Sequence, residues 1–322
     1  MVGAGVESTT KSQIACVTGA TGMIGRRIVE KLLARGYQVR VLTRRHYVNQ
    51  RVRVFNACFA DEATLNEFIC GADFVFNCAA ELRDESKMWA ANVLGAEKIT
   101  EMVERYHIKY YCHLSSAGVV GRTSQEVVDE DTSCQPQNHY EVTKFEAEKF
   151  VGRRIDGCNT IILRPTNVVD WEHLGELSLF VDGSIKSLLK AFVKGGECAH
   201  IVHAEDVANA AVFFLDRPSS LTPRIFFVSL DDDPLNTFSD LWSIFREMES
   251  PGKQNAITRN LHLPVIVPYV LRLLVGRTGN SGKVKYSSNR LVSAGFSYSL
   301  GVRKTIERIS LERAFGSDSD RC

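Results

Sequence analysis

A glycine-rich turn lies between a short apolar run and an amphipathic segment near the start of the chain. The run Ile14–Val17 leads into Thr18-Gly19-Ala20-Thr21-Gly22-Met23-Ile24-Gly25, and Arg26–Arg35 has the pattern of a helix. Such a turn lets the backbone approach a pyrophosphate closely, and the helix N-terminus adds free N–H groups and a positive dipole end. A strand before and a helix after favour a dinucleotide site over a merely structural turn. The residues predicted to contact the dinucleotide here are Gly19, Thr21, Gly22, Met23, Ile24 and Gly25.

Strand-length apolar runs alternate with helix-length amphipathic stretches as far as Arg164-Pro165. This alternation predicts βαβ units and a parallel sheet with both faces covered. We therefore expect an α/β, Rossmann-like, doubly wound sheet with a smaller C-terminal substrate-binding region. The expected divisions are a frayed leader (1–12), a dinucleotide-binding domain with the catalytic residues (13–165), a mixed region with the substrate lobe (166–316) and a frayed tail (317–322).

The charge balance and the cysteines narrow the choice of partners. Lys plus Arg total 39 against 38 Asp plus Glu, so no global basic field attracts nucleic acid or an anionic membrane. Nine cysteines without a C-x-x-C pair indicate reduced thiols in a cytoplasmic protein. No His, Cys or Asp cluster has metal-ligand spacing, so we expect no metal. The apolar stretch Leu261–Val275 is shorter than the roughly 20 residues that span a bilayer, and it is expected to pack on the body or on a partner subunit.

The end of the second predicted strand bears on which dinucleotide is bound. An acidic residue there would hold the ribose 2′-hydroxyl of NAD, but none occurs from Lys31 to Ala60. Instead Gln38–Thr43 is followed by Arg44 and Arg45, whose guanidinium groups suit a 2′-phosphate. NADP is therefore favoured over NAD, with a solvated surface pair as the alternative reading of the two arginines.

Two further motifs suggest proton-transfer chemistry. Ser115 and Ser116 follow the strand-like Tyr110–Leu114, and Tyr140 opens a helical segment that also contains Lys144. A spacing of four places Tyr140 and Lys144 on one helix face. A nearby ammonium lowers the pKa of a phenol from its usual value near 10, which favours proton donation near neutral pH.

In these motifs the sequence resembles the extended short-chain dehydrogenase/reductase family, of the NAD(P)-dependent epimerase/dehydratase type that commonly handles nucleotide sugars. The resemblance covers most of the chain. Its motifs are Thr18–Gly25, Asn77-Cys78-Ala79-Ala80, Asn92, Ser115-Ser116, Tyr140 with Lys144, Arg164-Pro165 and Val202-His203-Ala204-Glu205-Asp206-Val207-Ala208.

The resemblance implies a role for each matching residue. Ser116 hydrogen-bonds the substrate oxygen, Tyr140 is the acid/base, and Lys144 binds the nicotinamide ribose and tunes that tyrosine. Cys58 stands where the family often has an adenine-contacting Asp, so recognition there would rely on packing and backbone groups. Further cofactor contacts are expected at Phe59, Cys78, Ala79, Ala80, Asn92, Ser115, Pro165 and Asn167.

Two departures from the family pattern affect the expected reaction and pocket. Val119-Val120-Gly121 stands in place of the usual Tyr-Gly, which removes an aromatic side chain from the pocket rim. Ala117-Gly118 lacks the second acid of many family dehydratases, so dehydration is disfavoured.

The favoured function is NADPH-dependent reduction of a 4-keto nucleotide sugar, feeding deoxysugar or polysaccharide synthesis. Asn167 follows the strand that ends at Arg164-Pro165, and it is expected to reach a substrate phosphate. The alternatives are a 4-epimerase with tightly held NAD, a reductase of an apolar ketone of steroid or flavonoid type, and a non-enzymatic NADP-sensing protein. A homodimer through the helices around Asn92–Tyr106 and His139–Arg153 is a further expectation.

Overall fold

The computed structural model describes residues 13–178, 185–220, 222–249, 262–274 and 280–319. The expected leader, residues 1–12, and residues 320–322 of the expected tail lie outside these ranges. Residues 317–319 belong to the last helix, so this part of the tail is helical. The end residues of the apolar stretch Leu261–Val275 also lie outside the described ranges.

A seven-stranded sheet forms the centre of the fold. The strands of the protein are β1 (Ile14–Thr18), β2 (Gln38–Thr43), β3 (Val52–Asn56), β4 (Phe74–Asn77), β5 (Tyr110–Leu114), β6 (Val127–Val128), β7 (Asn159–Pro165), β8 (Asn167–Val169), β9 (Ile201–His203), β10 (Arg224–Val228) and β11 (Lys285–Tyr286). The central sheet has the order β10-β7-β5-β4-β1-β2-β3, and all of its pairings are parallel. The chain builds outward from β1 through β2 and β3, then returns to the other side of β1 at β4. This reversal makes the sheet doubly wound and confirms the predicted fold class.

Helices cover both faces of this sheet. The helices are α1 (Met23–Ala34), α2 (Glu62–Ile69), α3 (Glu85–Met88), α4 (Gly95–Arg105), α5 (His139–Val151), α6 (Ile185–Lys194), α7 (Ala204–Phe213), α8 (Phe238–Glu249), α9 (Ile266–Leu274), α10 (Asn289–Ser293) and α11 (Val302–Ser319). A π-helical segment, Trp89–Leu94, joins α3 to α4. The helix expected over Asn92–Tyr106 therefore begins as a wider turn, and Asn92 lies inside that turn rather than at a helix start. Short 3-10 helices lie at Ala117–Val120, Gly175–Leu177 and Phe214–Asp216.

Two apolar clusters, one on each face, hold the layers together. On one face α1 packs against α7, and on the other α2, α4 and α5 pack on the sheet. Burying one aliphatic side chain contributes about 1.5–3 kcal/mol. The strands β5 and β7 are buried along their whole length, which explains why they read as continuous apolar runs. Representative residues of the two apolar clusters are Ile28, Leu32, Val207 and Ala211 on the first face, and Leu65, Phe68, Ile99, Val103 and Val151 on the second.

The C-terminal part of the chain is assembled around one edge of the sheet. Its strand β10 pairs with β7 and forms that edge. The pair β8–β9 follows β7 directly, and β11 pairs with β6 from the first half of the chain. Among the described helices, none has the length and apolar character needed to span a membrane.

Candidate cofactor and catalytic site

The glycine turn lies at the point where the strand order reverses. Gly19 has φ +68°, and a Cβ built there would lie 2.6 Å from the main-chain N of Ala79. A Cβ on Gly25 would lie 2.3 Å from the carbonyl oxygen of Gly19. Side chains are therefore excluded at both positions, because the turn is packed against the segment after β4 and against the first turn of α1.

The turn is fixed to the end of β4 by a buried hydroxyl group. The Thr18 hydroxyl donates to the Asn77 side-chain oxygen at 2.7 Å, and it accepts the main-chain N–H groups of Cys78 and Ala79, each at 3.2 Å. These bonds bring the predicted cofactor-binding segment Cys78–Ala80 beside the glycine turn. The helix α1 begins after Gly22 and has no acid in its first turn, so its N-terminus is suited to an anion. The turn and the helix end together fit the pyrophosphate of a dinucleotide.

Ser115 and Ser116 directly follow β5, which pairs with β4. The Ser116 side chain accepts the N–H of Gly118 at 3.1 Å and caps the short helix Ala117–Val120. The main-chain N–H of Ser115 donates to the Leu163 carbonyl at 2.7 Å. The Ser115 hydroxyl is buried and has no hydrogen-bond partner among the described residues.

The helix α5 supplies Tyr140 and Lys144. The Asn138 side chain caps this helix by accepting the N–H of Glu141 at 2.9 Å. Lys144 is only 2% exposed, and its ammonium donates to the Leu114 carbonyl at the end of β5. Burial lowers the pKa of Lys144 to about 8, although the charge of Glu148 acts in the opposite direction. The predicted catalytic residues on α5 therefore lie at the carboxyl ends of the strands, as the serines do.

The expectation that Lys144 lowers the pKa of Tyr140 is wrong in this structure. Burial raises the pKa of Tyr140 to about 12, while a hydrogen bond with the Ser116 side chain lowers it and the charge of Glu141 raises it. The physical reason is that desolvation disfavours the phenolate and outweighs its neighbours, and the ammonium of Lys144 is directed to a main-chain carbonyl.

Asn92 joins the segment after β4 to the catalytic helix. Its side-chain N–H groups donate to the Glu81 carbonyl and the Thr143 hydroxyl, both at 3.0 Å. Its side-chain oxygen accepts the N–H of Glu81 at 2.7 Å. Asn92 is buried, so this predicted cofactor residue contacts protein atoms that hold the site together.

Arg44 lies just beyond the end of β2, with 59% of its side chain exposed. Its guanidinium is 3.9 Å from a carboxylate oxygen of Glu81, whose other oxygen accepts three consecutive main-chain N–H groups. These main-chain hydrogen bonds are the main reason that the pKa of Glu81 is lowered. The position of Glu81 beside Arg44 was not predicted, because Glu81 lies 37 residues further along the chain and follows a different strand. Its position directly after Cys78-Ala79-Ala80 was the available signal.

The other residues predicted to contact the adenosine half of the cofactor do not form one group. The main-chain N–H of Arg45 donates to the Thr43 hydroxyl at 3.0 Å. Cys58 is exposed in the loop after β3. The Phe59 ring packs closely over Gly95, where an added Cβ would lie 2.4 Å from it. Phe59 therefore packs against α4.

Asn167 is engaged by the main chain of the C-terminal region. Its side-chain N–H donates to the Ala199 carbonyl at 2.9 Å, and its main-chain N–H donates to the His200 carbonyl at 2.8 Å. These bonds hold β8 beside β9 and use one of the two side-chain N–H donors of Asn167, so its contact with a substrate phosphate stays a prediction. Pro165 is buried at the end of β7.

Two buried polar groups near the site have partners that the sequence did not indicate. His113 lies 3.2 Å from the Asn77 side-chain nitrogen, and burial together with the charge of Lys144 holds its pKa well below the usual range. Arg164 forms a two-pronged ion pair with Glu148 at 2.9 and 2.6 Å. This pair joins the end of β7 to α5.

The fold also produces two groups of side chains with metal-ligand chemistry, which spacing along the sequence did not reveal. Cys198, His200 and Asp231 form one group. The other consists of Asp170, Glu172 and His173. In each group the donor atoms lie within 4.8 Å of one another.

This fold and site define a dinucleotide-dependent enzyme, and comparison with known families agrees. A family model described as the NAD dependent epimerase/dehydratase family matches residues 15–229. The chain belongs to that family, and the resemblance seen in its motifs is confirmed. It is an enzyme of the short-chain dehydrogenase/reductase type.

Individual proteins that resemble the chain include epimerases and a dehydrogenase. A putative UDP-glucose 4-epimerase of Methanocaldococcus jannaschii is 29% identical over 222 residues, which cover 62% of this chain and 72% of that protein. The decarboxylating sterol-4-alpha-carboxylate 3-dehydrogenase of Mus musculus is 22% identical over 280 residues, covering 83% of this chain and 75% of that protein. The UDP-glucose 4-epimerase of Thermotoga maritima, solved with UDP-glucose, gives a TM-score of 0.71 at 18% identity, with 95% and 99% of the two chains covered. At this identity the last comparison supports the fold alone.

Proposed function

We propose that this enzyme reduces the keto group of a 4-keto nucleotide sugar with NADPH. The observation that carries the proposal is the arrangement of Ser116, Tyr140 and Lys144 at the carboxyl ends of the strands, where the glycine turn also lies. When bound, the dihydronicotinamide supplies a hydride to the keto carbon. Tyr140 donates a proton to the keto oxygen, and the Ser116 hydroxyl hydrogen-bonds that oxygen as it gains charge.

The protonation states of the two helix residues support reduction. With a pKa raised to about 12, the Tyr140 phenol carries its proton at neutral pH, as the proton donor of a reduction must. With a pKa lowered to about 8, Lys144 is still mostly charged at neutral pH. Its ammonium, held at the end of β5 by the Leu114 carbonyl, binds the nicotinamide ribose in this proposal, as the family resemblance implies.

Arg44 supports the preference for NADPH. Its guanidinium is mostly exposed at the end of β2, where the adenosine ribose binds in folds of this kind. A planar guanidinium forms charge-assisted bonds with a 2′-phosphate. Glu81 lies 3.9 Å from Arg44, so its carboxylate partly offsets the attraction for that phosphate.

The nucleotide-sugar substrate is supported by one of the relatives. The Methanocaldococcus jannaschii protein, which is 29% identical over 222 residues, is named as a putative UDP-glucose 4-epimerase. Epimerisation would require tightly held NAD as a recycled oxidant, whereas Arg44 favours a cofactor with an extra phosphate. The absence of a second acid at Ala117-Gly118 disfavours dehydration.

A second candidate is the reduction of an apolar ketone, and one feature of the C-terminal region favours it. The helices α6 and α9 present large apolar side chains to solvent, and a sterol dehydrogenase is among the relatives. An apolar surface of this kind is typical of a site for a lipid-like ligand or partner. The most exposed of these side chains are Ile185, Leu189, Ile266, Leu271 and Leu274.

A thermal-shift screen tests the proposal and separates the two candidates. UDP-, dTDP-, CDP- and GDP-sugars are compared with steroid and flavonoid ketones, each in the presence of NADPH or NADH. A ligand at one hundred times its Kd stabilises the folded protein by about 2.7 kcal/mol. We expect stabilisation by NADPH and a further increase in Tm with one class of nucleotide sugar. Stabilisation by apolar ketones alone would replace the first candidate with the second.

A further inference from the structure

Three different donor side chains converge in the C-terminal region, away from the glycine turn. Cys198 and His200 immediately precede β9, and Asp231 follows β10. Their donor atoms, a sulfur, a ring nitrogen and a carboxylate oxygen, lie within 4.8 Å of one another. The shortest of these separations, 2.6 Å, joins Nδ1 of His200 to the Asp231 carboxylate.

Hydrogen bonds to other segments of the chain fix each of the three residues. The N–H of Cys198 donates to the Gly282 carbonyl at 2.9 Å, and the His200 carbonyl accepts the N–H of Asn167 at 2.8 Å. The Asp231 carboxylate also accepts the N–H of Tyr286 at 2.8 Å. The donor set is therefore positioned by the fold rather than by its own contacts alone.

His200 adopts a backbone conformation that is rare for its residue type. Its φ is +56°, in the left-handed region that favours glycine. Such a conformation costs on the order of 1 kcal/mol or more and persists only where the surrounding structure imposes it. Here it directs the imidazole toward Asp231 and Cys198.

The cluster borders an open cleft of about 330 Å³. Cys198 and Asp231 both line this cleft, together with Gly196, Asp233, Asn236 and Lys283. An ion held by three protein ligands would thus have room for a water molecule or an anionic group as a fourth ligand.

We propose that Cys198, His200 and Asp231 bind a divalent transition-metal ion, for which Zn²⁺ is the best chemical match. Thiolate, imidazole and carboxylate are the usual zinc ligands, and three of them with one open position form a common zinc geometry. Two nitrogen or oxygen ligands of a tetrahedral zinc ion lie about 3.3 Å apart. The His200 and Asp231 donor atoms must therefore separate by about 0.7 Å when the ion replaces the proton between them.

The second group of potential ligands lacks this chemistry. Asp170 accepts hydrogen bonds from Arg26 at 2.6 Å and Arg27 at 2.8 Å, and Glu172 pairs with Arg26 at 2.5 Å. Its carboxylates are already neutralised by arginine and it contains no sulfur, so we assign the ion to the first group alone.

Cobalt substitution tests the proposal on the full-length protein. The chain is stripped with a chelator under reducing conditions and titrated with Co²⁺, which reports thiolate coordination by a near-ultraviolet charge-transfer absorption. We expect one cobalt ion per chain, the thiolate absorption, and displacement by Zn²⁺. Wild-type protein with no thiolate absorption would overturn the proposal.

Variants identify the ligands. Cys198→Ser should abolish the thiolate absorption, and Asp231→Asn should retain it with affinity lowered at least about tenfold. Cys70→Ser is the matched control, because Cys70 is exposed at the end of α2, and it should change neither. Thiolate absorption that survives in Cys198→Ser would contradict the assignment.

X-ray absorption of the wild-type cobalt form gives a result that does not depend on variants folding. We expect one sulfur and otherwise nitrogen or oxygen neighbours around the ion. A coordination shell with no sulfur, or with two or more, would contradict the proposed ligand set.

Discussion

A buried lysine and a part-buried histidine, in different regions of the molecule, have pKa values that are shifted in opposite directions. Lys144 in the cofactor region donates to a main-chain carbonyl, and burial lowers its pKa to about 8. Burial alone would also lower the pKa of His200 in the C-terminal region, but the hydrogen bond and charge of Asp231, assisted by Cys198, raise it to about 10. The difference shows that the partner of a buried base, more than its depth, decides whether it keeps its proton.

The two regions also differ in what their charges face. The Lys144 charge lies on the same helix face as a residue proposed to transfer a proton to a ligand, whereas the His200 charge is satisfied by its own neighbours. Variants of each region can therefore test separately whether its charge acts on a ligand or is satisfied within the protein.

The largest effect is expected at Tyr140, in the region proposed to carry out the chemistry. Tyr140→Phe removes the proton donor and should lower kcat by about 10²–10⁴-fold while leaving the Kd of NADPH nearly unchanged. Steady-state kinetics with the ketone found by the ligand screen, together with fluorescence titration of NADPH, measures both quantities. Tyr106→Phe, which removes a surface hydroxyl bonded to Asn66, is the control. Turnover near the wild-type value in Tyr140→Phe would contradict the proposed role.

Lys144 should give the wild-type protein a stability that rises with pH. Its pKa is about 8 when folded and 10.5 when unfolded, so between these values the unfolded chain binds more protons. The free energy of unfolding of wild type relative to Lys144→Met should therefore increase by about 3 kcal/mol from pH 8 to pH 10.5. Urea unfolding at a series of pH values measures it, and a flat difference would show that the ammonium is not desolvated.

His200 should show the opposite slope. Its pKa is raised from 6.5 to about 10, so its stabilisation is complete below pH 6.5 and is lost as pH rises through about 10. Relative to His200→Asn, wild type should lose about 5 kcal/mol of unfolding free energy over this range, because each unit of difference between the folded and unfolded pKa corresponds to about 1.4 kcal/mol. The measurement is made with a chelator present. A slope of the same sign as that of Lys144 would contradict the comparison.

The smallest effect is expected at the ion pair between the exposed Arg44 and the part-buried Glu81. Arg44→Ala should weaken NADPH binding about tenfold and leave NADH binding almost unchanged, because only NADPH carries the 2′-phosphate. Glu81→Gln should strengthen NADPH binding by no more than a few-fold, since exposed ion pairs contribute at most about 1 kcal/mol. Titration calorimetry with both cofactors tests this. Equal Kd values for NADPH and NADH, unchanged in Arg44→Ala, would contradict the NADP preference.

The cofactor region could be predicted from the sequence because its motifs are contiguous. Thr18–Gly25 encodes the turn directly, and the spacing of Tyr140 and Lys144 needs only a helix. The sign of the Tyr140 pKa shift could not be predicted, since it depends on burial by distant segments. Spacing along the sequence also gave no indication of the Cys198, His200 and Asp231 group, because Asp231 lies 31 positions beyond His200 and reaches it only when β9 and β10 are in place.

The buried amide of Asn92 connects the two halves of the site. It is bonded at once to the main chain of Glu81, beside the cofactor region, and to Thr143 in the catalytic helix. Neither segment can shift without breaking hydrogen bonds that water does not replace in the interior. One buried side chain therefore ties the segment after β4 to the helix that carries Tyr140.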